Sequence, residues 1–215
     1  MNEEVIMLKR IFVIFSIFCS FFLVSCTAEI EMTLKDNGEI EVRFEGMSDA
    51  AFSNLIKTAS GMEEGDVVFD VNAITYELVK NGFLDVKVES KQGTDISISM
   101  IEKTGKTIFF DSGVIEKNKD ELKIKLTPEN VLEFYKKSDE QIKVFLDMLI
   151  APIFNEEIMT EQEYLETVSS FYGESVSDEL KDSKFRIILN QKKNKVLREL
   201  NTSEILTLKE IIEIS

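Results

Sequence analysis

Near the start of the chain Lys9 and Arg10 precede an uncharged run from Ile11 to Val24, and beyond it apolar and polar positions begin to alternate. Ile30, Met32 and Leu34 recur at every second position, as do Ile40, Val42 and Phe44, with Asp36-Asn37-Gly38 between the two sets. Alternation on both sides of an Asn-Gly pair predicts a β-hairpin with one buried face. The period then changes. Phe52, Leu55, Ile56 and Ala59 share one stripe of a helix predicted over 49–59, which Ser48 caps and Gly61 ends. A short strand over 67–71 follows, then a brief helix over 74–80 closed by Asn81-Gly82. Segments at 84–88, 95–101, 107–110, 113–116 and 121–126 predict a meander of antiparallel strands with Gly- and Lys-bearing turns between them.

The second half turns helical at Thr127-Pro128, where threonine caps and proline takes the first helical position. Ser138 with Gln141, and Thr160 with Glu163, have the capping-box spacing, which places helices over 139–150 and 161–172. Strand character returns at 185–189, with further strands expected at 195–199 and 203–208. The fold class predicted is α+β: an antiparallel sheet that begins with a β-hairpin, and a helical layer or subdomain over about 128–181. There is no internal repeat, low-complexity tract or Pro/Gly-rich linker, so residues 26–215 are expected to form one domain.

The N-terminal apolar run is short of the roughly 20 residues that cross a bilayer, and fits the roughly 7 to 15 of a signal-peptide core. Directly after it, Leu23-Val24-Ser25-Cys26 resembles the lipobox of bacterial lipoproteins. The rival Cys19 follows Phe18, too bulky for the position before a cut. Glu3 and Glu4 are unusual upstream of a basic pair, and Met7 offers a second start, reading MLKR. The resemblance implies removal of residues 1–25 as a signal peptide, diacylglycerol on the Cys26 sulfur and a further acyl chain on its new amino group. The expected location is therefore the bacterial cell envelope, with the membrane as a partner through lipid on Cys26. Two or three chains, at about 0.8 kcal/mol per buried methylene, make a stable anchor.

Composition narrows the chemistry. Two acids and two bases leave with residues 1–25, so the remainder keeps the formal charge of -15 and is not expected to meet nucleic acid. After Cys19 and Cys26 no cysteine remains, and histidine is absent altogether. That excludes a disulfide, a thiol nucleophile, a Ser-His-Asp triad, an HExxH site and ordinary zinc coordination. No metal and no cofactor is expected. Residues 63–77 are acid-rich, but an EF-hand loop counted from Asp66 puts Val68 at the third position and Val71 where the sharp-turn glycine belongs. Gly61 to Gly65 lacks the lysine and spacing of a phosphate loop.

The most apolar stretch after Cys26 is Ile142 to Phe154, which is apolar around most of a helix rather than along one stripe. Such a segment is core, or it offers a surplus face to a ligand, a partner or a membrane. Met148, an adaptable side chain, and Ile153, just past Pro152, are the candidate surface positions, and Tyr172 is a candidate pocket-lining residue. The anchored cysteine and the hairpin of residues 30–44 around Asp36-Asn37-Gly38 are loosely similar to the opening of LppM-like bacterial lipoproteins. That resemblance implies a mixed sheet-and-helix domain with lipid as a ligand class. The acidic, low-proline, Lys/Glu/Ile/Phe-rich composition also resembles that of spirochaetal lipoproteins. Two functional readings follow. One is a non-enzymatic envelope module binding a protein partner or an apolar ligand. The other is a carboxylate-based envelope hydrolase, which requires two acids about 5 to 9.5 Å apart in a cleft.

Overall fold

The hairpin at the start of the chain sets the frame of the molecule, whose structure is a computed structural model describing residues 27–47, 49–60, 69–91, 95–138, 143, 146–147 and 149–215. Strand β1 (Thr27–Leu34) pairs antiparallel with β2 (Ile40–Met47), with Ile30 opposite Phe44 and Met32 opposite Val42. The Lys35 amide donates to the Glu39 carbonyl at 2.9 Å and the Gly38 amide to Lys35 at 3.0 Å. Gly38 takes a φ of +84°, a region open to glycine without steric cost.

In chain order there follow α1 (Ala50–Ser60), α2 (Val71–Lys80), β3 (Leu84–Lys91), β4 (Asp95–Glu102), α3 (Ile108–Asp111), β5 (Ile115–Lys117), β6 (Leu122–Leu126), α4 (Pro128–Lys137) and a 3-10 turn (Pro152–Asn155). The chain ends with α5 (Glu161–Tyr172), α6 (Glu174–Asp182), β7 (Lys184–Asn190), β8 (Lys195–Asn201), α7 (Thr202–Thr207) and β9 (Ile212–Ile214). The fold is α+β. A six-stranded sheet runs β3-β4-β2-β1-β7-β8, and a smaller one runs β5-β6-β9. All neighbouring strands are antiparallel except β1 and β7, which lie parallel with Ile30 beside Ile187.

Strict alternation gives the large sheet two unlike faces. One cross-sheet row reads Val88, Ile98, Phe44, Ile30 and Ile187, all buried in the core. Burying each such side chain contributes about 1.5–3 kcal/mol. The row ends at the edge strand on Arg198, which is exposed. The opposite face carries Glu29, Glu41, Arg43, Glu45, Arg186 and Glu199, with Arg186 bonded to Glu29 at 3.2 Å and to Glu199 at 3.3 Å. Edge strand β3 shifts register between Leu84 and Lys87, and Asp85 adopts a φ of +51°. Such a bulge blunts an open edge.

Local chemistry explains the helices. Thr127 accepts from the Asn130 amide at 3.1 Å ahead of Pro128. Thr160 and Glu163 close a reciprocal capping box, at 3.1 Å and 2.7 Å. Ser138 instead donates to Phe134 at 2.8 Å and so ends α4. Its box partner Gln141 lies outside the described residues, as does most of the helix expected over 139–150. Within that span Lys143, Leu146 and Asp147 are helical, while Leu149 and Ile150 form a turn.

Several expected strands are corrected. Residues 107–110 are the cap and first residues of α3, whose Phe109 is buried and stacks on Phe134 at 5.4 Å between ring centres. Residues 203–208 fall in α7 and its cap, where Ile205, Leu206 and Leu208 are all buried. Of the strand expected over 67–71, residues 67 and 68 lie outside the described residues, Phe69 and Asp70 are in no strand, and Val71 opens α2, which the Asp70 carboxylate caps by accepting from the Asn72 and Ala73 amides at 2.9 and 3.1 Å. The expected meander over 84–126 is divided. Strands β3 and β4 join the large sheet, whereas β5 and β6 join the small one with β9.

Candidate functional site

Helices α5 and α6 are joined by Gly173 alone, at a φ of +94° that other residues rarely take. The Ser177 hydroxyl donates to the Leu165 carbonyl at 2.8 Å and ties the pair together. Across them lies α1. Its first amides, those of Ala51 and Phe52, donate to the two carboxylate oxygens of Glu179 on α6, each at 2.8 Å. A carboxylate there satisfies donors that a helix start leaves open and meets the positive end of its dipole.

Between these helices is an apolar slot. Phe52 and Leu55 enter it from α1, Tyr164, Val168 and Tyr172 from α5, and Val176 and Leu180 from α6. Leu149 closes one side, and Ser183 and Thr202 sit at the sheet end. The two hydroxyls bond to each other, and the Thr202 amide donates to the Ser183 carbonyl at 3.2 Å. The Tyr164 hydroxyl donates to the Leu149 carbonyl at 2.9 Å. With these polar groups paired, the walls present carbon. The enclosed volume is about 30 Å³, no more than a water-sized space, and an apolar space of this kind stays dry.

Of the positions singled out beforehand, Tyr172 lines the slot, half-buried, and burial pushes its phenol above the ordinary range. Its neighbour Phe171 is 71% exposed. Ile153 is buried in the 3-10 turn and packs in the core, away from the slot. Met148 and Cys26 lie outside the described residues. Phe52, Leu55, Val176 and Leu180 were not singled out. Only the α1 stripe of Phe52 and Leu55 signalled that two of them would be buried, and nothing local pairs α1 with α6.

Several acidic groups have identifiable partners. Of the stretch 63–77, Asp70 caps α2 and Glu77 bonds to Lys80 at 3.1 Å, while Glu63, Glu64 and Asp66 lie outside the described residues. On the polar face of the large sheet, Glu29, Glu45, Glu89 and Asp95 line an open groove of about 410 Å³ together with Arg186. Glu29 and Glu45 stand opposite in register, but Glu29 is engaged by Arg186. The buried Glu102 accepts from the Thr104 hydroxyl at 2.9 Å and the Gly105 amide at 2.6 Å, holding the turn after β4. Among the described residues no cluster of acids, cysteines or histidines is arranged to hold a metal. Among the same residues no helix is long and apolar enough to cross a membrane.

No protein family, curated protein or solved structure was found to match this chain.

Proposed function

We propose that the chain is an exported bacterial lipoprotein, cleaved before Cys26 and held to a membrane by lipid on that cysteine. Its α+β domain acts at the cell envelope as a binding module for an apolar ligand or a protein partner. The observation that carries the binding part is the apolar slot between α1, α5 and α6, with its hydroxyls paired and α1 clasped by Glu179. A wall of carbon beneath a helix fastened at one end suits an alkyl group better than a polar substrate. The anchor rests on the basic pair, the short apolar run and Leu23-Val24-Ser25-Cys26.

Two measurements test the reading. Metabolic labelling with a fatty-acid analogue should mark the wild type and leave Cys26→Ser unlabelled as a precursor, because a thioether needs the thiol. Equal labelling of both would end the anchor claim. Leu55→Asp and Val176→Asp, placed in the slot, should reduce uptake of an environment-sensitive fluorescent fatty acid. Undiminished uptake by folded variants would remove the slot from the function.

A further inference from the structure

Strand β8 ends the large sheet, and among the described residues no strand pairs with its outer side. We propose that this edge pairs with the same edge of a second copy of the chain, across a two-fold axis at Leu197, so that two six-stranded sheets become one.

The first reason is the parity of the ladder. Residues opposite each other in an antiparallel pair alternate between exchanging hydrogen bonds and directing those groups away from each other. At the turn end of the β7–β8 hairpin the Gln191 amide donates to the Asn194 carbonyl at 2.9 Å, and at the other end the Thr202 amide donates to the Ser183 carbonyl at 3.2 Å. Between them the register runs without a shift, from Asn190 opposite Lys195 to Lys184 opposite Asn201. Both ends therefore assign the bonds toward β7 to the even-numbered residues of β8. Lys195, Leu197, Glu199 and Asn201 turn their backbone groups outward. The other edge of the sheet is unlike it, because the bulge in β3 between Leu84 and Lys87 interrupts the spacing a further strand needs.

The second reason is that these outward residues complement themselves. An antiparallel copy placed with Leu197 opposite Leu197 bonds through the outward groups, and it sets Lys195 of each copy opposite Glu199 of the other on the same face. Leu197 is 58% exposed, and among the described residues exposed Lys195 takes part in no ion pair. Glu199 is exposed too, and Arg186 bonds only its Oε2, at 3.3 Å. One apolar contact flanked by two pairs of opposite charge is a stabilising cross-strand arrangement. Sliding either copy by two residues puts Leu197 opposite Lys195 or Glu199 and loses both of those ion pairs. On the inner face Arg198 falls opposite Val196 of the second copy, not opposite its own counterpart. Every contact recurs across the axis, so the interface is self-complementary and closes at two copies.

The test uses the purified full chain in non-ionic detergent. Sedimentation should show a dimer whose fraction falls on dilution. Lys195→Glu places acids opposite Glu199 at both pairs and should raise the dissociation constant on the order of tenfold, while Lys195→Glu combined with Glu199→Lys should restore it. Leu197→Cys should give a disulfide-linked dimer under mild oxidation, above the background set by Cys19 and Cys26 in the parent chain, since facing residues lie about 5.5 Å apart between Cα atoms and a disulfide spans roughly 4.4–6.8 Å. A monomer at every concentration, cross-linking no greater than the parent's, or a double swap as weak as the single one each overturns the pairing.

Discussion

Replacing Glu179 with alanine removes both acceptors from the start of α1, together with the negative charge facing its dipole. Loss of a helix cap costs about 0.5–2 kcal/mol, and a charge at an exposed helix start contributes about 0.3–1 kcal/mol. The carboxylate is half-buried, so solvent screens part of the second effect, and about 1–2 kcal/mol is the working figure. Because α1 packs chiefly on α6, the loss should be local. A change of that size corresponds to about a 5- to 30-fold rise in the open population. Native-state hydrogen exchange reads it directly. The α1 amides beyond Ser53 should exchange faster by that factor, while those of β1, β2 and β7 stay protected. Glu179→Gln keeps one acceptor oxygen and should fall between wild type and alanine. Unchanged exchange in α1 would show that Glu179 does not hold the helix. Uniform acceleration across the sheet would show a global role rather than a clasp.

Tyr164→Phe leaves the Leu149 carbonyl without its donor inside the core, at a cost of about 1–3 kcal/mol. A lower urea midpoint at unchanged slope checks it, and in the wild type the Tyr164 phenol, pushed up by burial, should give no phenolate absorbance before alkaline unfolding. The Glu163 carboxyl is held below its ordinary 4.5 by the Thr160 amide and hydroxyl, so its contribution is present above the unfolded value and lost as pH falls through the folded one. The difference in melting temperature between wild type and Glu163→Gln should therefore be level from roughly pH 7 to 5 and close at lower pH. A difference that persisted at roughly pH 2 would contradict the assignment.

What could be read in advance depended on whether the cause was local. The first hairpin, α4 and α5 are set by nearby residues: Asn37-Gly38 for the turn, Thr127-Pro128 and the Thr160–Glu163 box for the helix starts. Their periodicity and their caps agree. Short apolar runs are different, because four to six residues fit a buried strand or a helical turn equally well. Ile108 to Phe110 and Ser203 to Thr207 are helical because their apolar groups must reach the core from one side, as the stacking of Phe109 on Phe134 shows. The parallel pairing of β1 with β7 had no local signal at all. It joins residues 157 positions apart, such as Thr27 and Lys184, and the run Ile187-Ile188-Leu189 in β7 names no partner strand.

The same distinction governs the site. Tyr172 was visible as an aromatic before a helix-ending glycine, and the buried stripe of α1 was visible as period. Their meeting depends on Glu179, 128 positions from Ala51, and on Ser183 finding Thr202, 19 positions away. Ile153 was read as a surface position because the segment around it holds more apolar residues than one helix face can use. That surplus is taken up from several directions: Leu146, Leu149, Ala151 and Ile153 are all buried, and Leu149 and Tyr164 share a hydrogen bond as well as the slot. Excess hydrophobicity in a sequence counts the neighbours a segment needs. It does not say whether those neighbours are in the same chain.

The place of β1 in the sheet also bears on how the domain would withstand the proposed tether. The lipid proposed on Cys26 would load β1 at its first residue, and β1 lies in the interior of the large sheet, bonded to β2 on one side and β7 on the other. Ladder bonds run across the strands, so a pull along β1 loads both ladders in shear, many bonds at once, where an edge strand pulled sideways would open one bond at a time. The eight-residue hairpin with β2 and the parallel partner β7 thus give the attachment point two independent holds. Strand β8, whose Lys195, Leu197, Arg198 and Glu199 are exposed, could not serve in the same way, since it has one neighbour and a charged residue on the inner face. The long-range pairing with β7 is what makes β1 an interior strand, with a neighbour on each side to share such a load.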